Sequence, residues 1–245
     1  MKKRSKKRKK VHVQFQTEPD ILNDIQFIKP DDEIQFECSC CGECCRNVEF
    51  SVLLEPYDMY RIARHLRETD ATINGIEDVI TEYAEIKILG NTDFPIFLLK
   101  TRGQKKECVF LKGGHCNIHE AKPRACRIYP IGAWPNAAFD GFEYFISSRK
   151  QHHFKGSSIR IADWVDANFD SRCKEIALLD AEAMTELAPI LCGLQKAGVD
   201  RDRILHPLLL FKYVCFELDE PYIPQFSRNM SLLKSALLNL TGSIK

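Results

Sequence analysis

Five cysteines within eight residues, Cys38-Ser39-Cys40-Cys41-Gly42-Glu43-Cys44-Cys45, constrain what this chain can fold into more than any other feature. A C-x-x-C step brings two thiolates to one cation because the chain folds into a tight knuckle. A glycine such as Gly42 supplies the left-handed backbone angle that a knuckle needs. Packing of inert thiols does not explain such density. Nor does small size, because 245 residues bury a sizeable core without cross-links. The basic start gives way to Val11-His12-Val13-Gln14-Phe15-Gln16 and then acidic residues, not to the uninterrupted apolar run of roughly 7–15 residues in a secretory signal. The most apolar stretch, Leu205 to Leu218, is broken by His206, Pro207, Lys212 and Glu217, and falls short of the roughly 20 residues a bilayer needs. The expected location is therefore the cytoplasm, with no membrane partner. In that reducing compartment clustered thiols serve as metal ligands or redox groups rather than structural disulfides.

Three further cysteines, Cys108, Cys116 and Cys126, follow at wider spacing. Zinc sites close on four ligands, commonly two C-x-x-C pairs, whereas ferredoxin-type cubane clusters use a C-x-x-C-x-x-C run completed by a distant cysteine. Cys38, Cys41 and Cys44 match the second spacing. Adjacent Cys44 and Cys45 point in different directions in most backbone conformations. Together Cys38, Cys41, Cys44, Cys45, Cys108, Cys116 and Cys126 are more thiols than one tetrahedral ion can use. The count favours an iron-sulfur cluster or a polynuclear site over a single zinc, with either cofactor open.

The formal charge of +1 conceals an asymmetry. Lys2, Lys3, Arg4, Lys6, Lys7, Arg8, Lys9 and Lys10 are eight of the 35 basic residues, which leaves 27 against 34 acidic ones from Val11 onward, a balance of −7. Like charges at that density repel and cannot enter a core. Residues 1–34 are accordingly read as a basic disordered tail and an extended arm with turns at Pro19-Asp20 and Pro30-Asp31-Asp32. The run Lys2 to Lys10 is suited to a weak nucleic-acid contact through counterion release.

Beyond the cluster, Val48 to Val52 alternates like a strand, and Glu55-Pro56 opens a helix to about Arg67 that buries Met59, Ile62, Ala63 and Leu66 and leaves Asp58, Arg61, Arg64 and Arg67 outside. A second helix is expected over Ile76 to Tyr83. Strands follow over Phe94 to Lys100, Cys108 to Leu111, Cys116 to His119 and Gly141 to Ser147, with a turn at Gly113-Gly114 and a helical turn at Pro123. From Ile159 the pattern is helical: Ile159 to Asn168, Ser171 to Ala197, Asp202 to Glu217 and Ser231 to Leu240. The expected class is α+β, a small mixed sheet with a metal-held cysteine knuckle (residues 35–150) followed by a helical part packed on it (151–245).

Four segments carry a family resemblance: Phe36 to Cys45, Val52 to Ile62, Cys108 to Cys116, and Lys122-Pro123-Arg124-Ala125-Cys126-Arg127-Ile128-Tyr129-Pro130. Over about residues 35–135 they resemble the CxxCxxCC cysteine-cluster family, the YkgJ-like zinc- or iron-chelating proteins. The resemblance implies that Cys38, Cys41, Cys44, Cys45, Cys108, Cys116 and Cys126 are metal ligands. A branch of the family comprises flagellin lysine N-methylases, which implies, as an alternative, a protein lysine N-methyltransferase using S-adenosylmethionine on a protein substrate. Cys40 is extra, and His119 stands where an aromatic residue is usual. Arg124 and Arg127 flank Cys126 and are placed to offset thiolate charge. Tyr129-Pro130 is expected to shield the site from water.

Cys173, Cys192 and Cys215 lie among apolar neighbours in expected helices and read as core thiols. His152-His153 and His206 have no partner at ligand spacing and are left outside the site. None of the twelve glycines forms G-x-G-x-x-G, and there is no P-loop, H-E-x-x-H or G-x-S-x-G. The C-x-x-x-C-x-x-C spacing of common S-adenosylmethionine radical enzymes is also missing. Nucleotide-dependent, zinc-protease and serine-hydrolase chemistry lose their usual sequence support.

Overall fold

Pro30 and Asp31 reverse the chain. The Asp32 amide donates to the Lys29 carbonyl at 3.0 Å, and the Asp32 carboxylate accepts from the Lys29 amide at 2.8 Å. The turn joins β1 (Ile25–Ile28) to β2 (Glu33–Gln35), so from Ile25 onward the segment read as an arm is strand. The computed structural model describes residues 25–89, 94–147 and 151–242. The basic run Lys2 to Lys10, the nucleic-acid contact assigned to it and the Pro19-Asp20 turn lie outside the described residues.

After the thiol loop only a two-residue strand forms, β3 (Leu53–Leu54). The strand expected over Val48 to Val52 is absent because Asn47 (φ 53°) and Phe50 (φ 56°) are in the left-handed region, which no extended strand accommodates. Helix α1 (Pro56–Arg67) occupies the expected residues, with Pro56 in its first turn and Met59, Ile62, Ala63 and Leu66 buried. Asp58, expected outside, is 2% exposed. Its carboxylate accepts from the Glu55 amide at 3.3 Å and from the Arg124 amide at 2.9 Å, so orphan donors at two helix starts pull it inward.

Helix α2 (Ile76–Tyr83) also fills its expected range and runs directly into β4 (Ala84–Leu89), which the pattern had not revealed. β4 and β3 flank β5 (Phe94–Leu99) in an antiparallel sheet. Two short hairpins follow, β6 (Thr101–Arg102) with β7 (Glu107–Cys108) and β8 (Leu111–Lys112) with β9 (His115–Cys116). The strand expected over Cys108 to Leu111 is thus shared between two hairpins. Gly113 and Gly114, at φ 59° and 83°, turn the second one. Its return strand stops at Cys116, and a 3-10 turn covers His119–Ala121.

Next come α3 (Arg124–Arg127), β10 (Ile131–Pro135), β11 (Phe142–Ser147), β12 (Ser158–Arg160) and α4 (Ile161–Asn168). The chain ends in α5 (Ser171–Lys196), α6 (Arg201–Leu209), a π-helical turn Leu210–Val214 and α7 (Tyr222–Gly242). The helix expected to run unbroken from Asp202 to Glu217 loosens after Pro207, which removes a backbone donor from the ladder. Helix α7 begins well before Ser231 because Pro224 falls in its first turn, where its missing N–H costs nothing. The architecture is α+β, its described strand ladders all antiparallel and its C-terminal part helical.

Contacts divide the chain into two units. One comprises residues up to Cys44 with Ala125–Leu178, and the other Cys45–Arg124 with Leu179 onward. In the first, β1-β11-β10 and the β2-β12 ladder bury Ile28, Ile34, Phe36, Ile131, Ile146 and Val165. In the second, the β3-β5-β4 sheet and the helices bury Leu54, Met59, Ile62, Phe97, Leu208 and Leu233.

Candidate metal centre

The β2-β12 ladder positions the first thiols. Gln35 pairs with Ser158, so the residues that leave β2 lie opposite those that lead into β12. Two further bonds carry the pairing outward: the Phe36 amide donates to the Ser157 carbonyl at 3.3 Å, and the Glu37 amide to the His153 carbonyl at 3.2 Å. Gly156 sits between them at φ 87°, where any Cβ would fall 2.5 Å from the Glu37 carboxylate. The thiol loop and the 3-10 turn Gln151–His153 are thereby held side by side although more than a hundred residues separate them in sequence.

Past Glu37 the loop turns twice through left-handed residues, Cys40 (φ 51°) and Gly42 (φ 72°), which presents Cys41 between them. The Cys41 Sγ lies 3.3 Å from His153 Nε2 and 3.7 Å from His152 Nε2. All three donor atoms fall within 4.8 Å of one another. His153 is 5% exposed and is gripped on both ring nitrogens, because its Nδ1 lies 3.1 Å from the Tyr129 hydroxyl. Phe36 packs edge-on against both Tyr129 and His153 and also meets Trp164, whose indole N–H donates to the Ile128 carbonyl at 3.1 Å. Cys41 and His152 are exposed, so the cluster opens to solvent on one side and rests on an aromatic wall on the other.

This arrangement activates the thiol. Hydrogen bonds from His153 first, then His152 and the Glu43 amide, hold the Cys41 pKa down to about 6. Tyr129 is pushed the opposite way by burial and by the thiol groups of Cys44, Cys41 and Cys38, so it stays a protonated hydroxyl. That hydroxyl serves either tautomer of His153, donating to a bare Nδ1 or accepting from Nδ1–H once Nε2 is engaged by a cation. In metal-free protein, Cys41 is expected to alkylate with a pH midpoint near 6. Because the thiolate is the reactive form and the pKa is lowered, reactivity is full above the midpoint and falls about tenfold for each pH unit below it. His153→Ala should move the midpoint up toward the ordinary thiol range, as peptide mapping of the labelled cysteine would register.

The seven expected ligands are placed as follows. Cys38 and Cys44 are exposed on the loop that bears Cys41, close enough to Tyr129 for all three to act on its hydroxyl. Cys45 ends the turn Glu43–Cys45 and is half-buried. Cys108 is buried at the end of β7, Cys116 is half-buried on β9, and Cys126 is half-buried on α3. The described structure brings Cys41 together with two histidines.

Several neighbours differ from expectation. Arg124 forms a bidentate pair with Glu55. Arg127 donates to the Cys173 sulfur at 3.3 Å, and Asp170 lies 3.2 Å from that same sulfur. His119 is exposed. Cys173 is buried as expected and Cys215 half-buried, but Cys192 is exposed. Leu194 defines the buried side of α5 there, and a residue two positions earlier points about 200° away around a helix with 3.6 residues per turn. Cys192→Ser is therefore expected to change stability by less than about 0.5 kcal/mol, measured by thermal unfolding.

His152 and His153 were missed because nothing in their local spacing marks them as ligands. Adjacency is the one signal they offered. Their partner thiol is brought to them by a strand pairing that spans most of the first unit. Residues 37–154 match the CxxCxxCC family model, described as a "putative zinc- or iron-chelating domain", which bears out the resemblance carried by the cysteine segments. No match was found among curated proteins or among solved structures.

Proposed function

We propose that the CxxCxxCC segment is a zinc-chelating module whose nucleus is Cys41, His152 and His153, with Cys38 closing the tetrahedron through its C-x-x-C step. One observation carries this reading: a thiol and two imidazole nitrogens converge within 4.8 Å. A ferredoxin-type cubane is held by thiolates alone, whereas a mixed set of two sulfurs and two imidazoles is a common closed zinc site. Nitrogen donors at the most organised part of the cluster thus weigh against the all-thiolate cluster that the thiol count favoured.

The residues fit such an ion chemically. Cys41 is already a thiolate at neutral pH, so cation binding need not displace its proton. Tyr129 orients His153, as an outer hydrogen-bond partner does for a ligating imidazole. The ion would supply electrostatic closure between the loop after β2 and the turn before β12, and part of its binding energy would be folding energy. For Cys44, Cys45, Cys108, Cys116 and Cys126 the support as ligands is the family resemblance alone.

The test is metal and acid-labile sulfide analysis of protein purified without oxygen, followed by cobalt substitution. Stoichiometric zinc without sulfide is expected, and cobalt-loaded protein should show the strong visible absorption of a tetrahedral thiolate site. Iron with equimolar sulfide would overturn the assignment.

A further inference from the structure

The thiols of the loop after β2 face solvent as a group. Cys38, Cys41 and Cys44 are all exposed. They also converge, since all three act on the single hydroxyl of Tyr129. Each neighbouring pair is a C-x-x-C step, the spacing shared by dithiols that open and close as disulfides. Cys40 (φ 51°) and Gly42 (φ 72°) turn the backbone on either side of Cys41. Cys41 is reached from the protein side by His153 Nε2 at 3.3 Å and by His152 Nε2 at 3.7 Å, and its other side is open to water. Cys192 offers a contrast. It is exposed on α5, but no cysteine stands at C-x-x-C spacing from it.

A cysteine senses oxidants when a small oxidant can reach it and a second thiol stands ready to resolve the oxidised sulfur. Cys41 meets both conditions, because it lies on the side of the cluster away from the aromatic wall and has Cys38 one C-x-x-C step behind it. With hydrogen peroxide as the oxidant, the Cys41 thiolate attacks one peroxide oxygen: an S–O bond forms, the O–O bond breaks and hydroxide leaves. The Cys38 thiolate then attacks the Cys41 sulfur, so that an S–S bond forms, the S–O bond breaks and a second hydroxide leaves. The two sulfurs have together given up two electrons, and the peroxide, with two protons from solvent, has become two waters. Zinc keeps its charge throughout but loses two of its four donors at once. Two imidazoles alone do not close a zinc site.

We propose that Cys41 and Cys38 are an oxidative modification site, closed by hydrogen peroxide to a disulfide that ejects the cation, a switch that rests on the zinc reading. Two arms keep the switch and that reading apart. In the first, metal-free full chain is treated with peroxide and its cysteine peptides are mapped by fragmentation mass spectrometry, which needs no metal. A Cys38–Cys41 disulfide is expected, reversed by dithiothreitol and formed on the order of tenfold faster than Cys192 is oxidised. Cys38→Ser should stop at a Cys41 sulfenic acid that dimedone captures, whereas Cys44→Ser should still form the bond. In the second arm, zinc-loaded full chain receives peroxide beside a chromophoric chelator. Zinc release should follow disulfide formation and reverse with dithiothreitol. A chain that forms the disulfide yet binds no zinc contradicts the zinc reading and leaves the modification site standing. A bond to Cys44 in place of Cys38, oxidation no faster than that of Cys192, or zinc retained by the disulfide form would each overturn the proposal.

Discussion

Cys41→Ser and His153→Ala proteins are expected to bind zinc on the order of a hundredfold more weakly, or not at all, because each opens one position of the proposed four-ligand site. His153 carries the larger consequence. It is the buried member of the trio, it bonds Tyr129 with one nitrogen and Cys41 with the other, and its carbonyl receives the Glu37 amide. Tyr129→Phe keeps the ring and removes only the orienting hydroxyl, so its loss should be smaller, about tenfold. Competition with a chromophoric chelator would rank the three variants. If Tyr129→Phe lost more affinity than Cys41→Ser, the order of roles would be wrong.

The second large effect is expected from Phe36→Ala. Phe36 is 3% exposed and meets Tyr129, His153, Phe154 and Trp164, so truncation leaves a cavity among rings that cannot collapse into it. Removal of a buried phenylalanine costs about 3–5 kcal/mol. Because Phe36 is also the first residue of the tether that aligns the thiol loop with His153, zinc affinity should fall together with stability. Denaturant unfolding with and without chelator separates the two. Cys192→Ser, on the exposed side of α5, is the control that should move neither.

Some of this structure was legible in the residues alone. The range of α1 follows from Pro56 and the spacing of Met59, Ile62, Ala63 and Leu66, and α2 fills the Ile76 to Tyr83 range expected of it, all local properties. Gly42 and Gly113-Gly114 turn as their residue type suggests. What escaped was set by distant partners. Asp58 is buried because the Arg124 amide needs an acceptor, and Val48 to Val52 fails as a strand because of backbone angles at Asn47 and Phe50 that no alternation of side chains reports. Strand β4 carries no clean break from α2, so periodicity alone did not separate them.

The proposed metal centre divides the same way. Its thiol half is visible as a run of cysteines, because a knuckle is a local device. Its imidazole half depends on Gln35 pairing with Ser158, a register fixed by the whole first unit. His152-His153 became ligand candidates only when that ladder placed them 3.7 and 3.3 Å from Cys41.

X-ray absorption at the zinc edge of the purified full chain tests the central assignment most directly. The expected spectrum contains two nitrogen neighbours at about 2.0 Å with imidazole outer-shell scattering and two sulfur neighbours at about 2.3 Å, and it loses one nitrogen in His153→Ala. Four sulfur neighbours with no imidazole scattering, unchanged by His153→Ala, would contradict it.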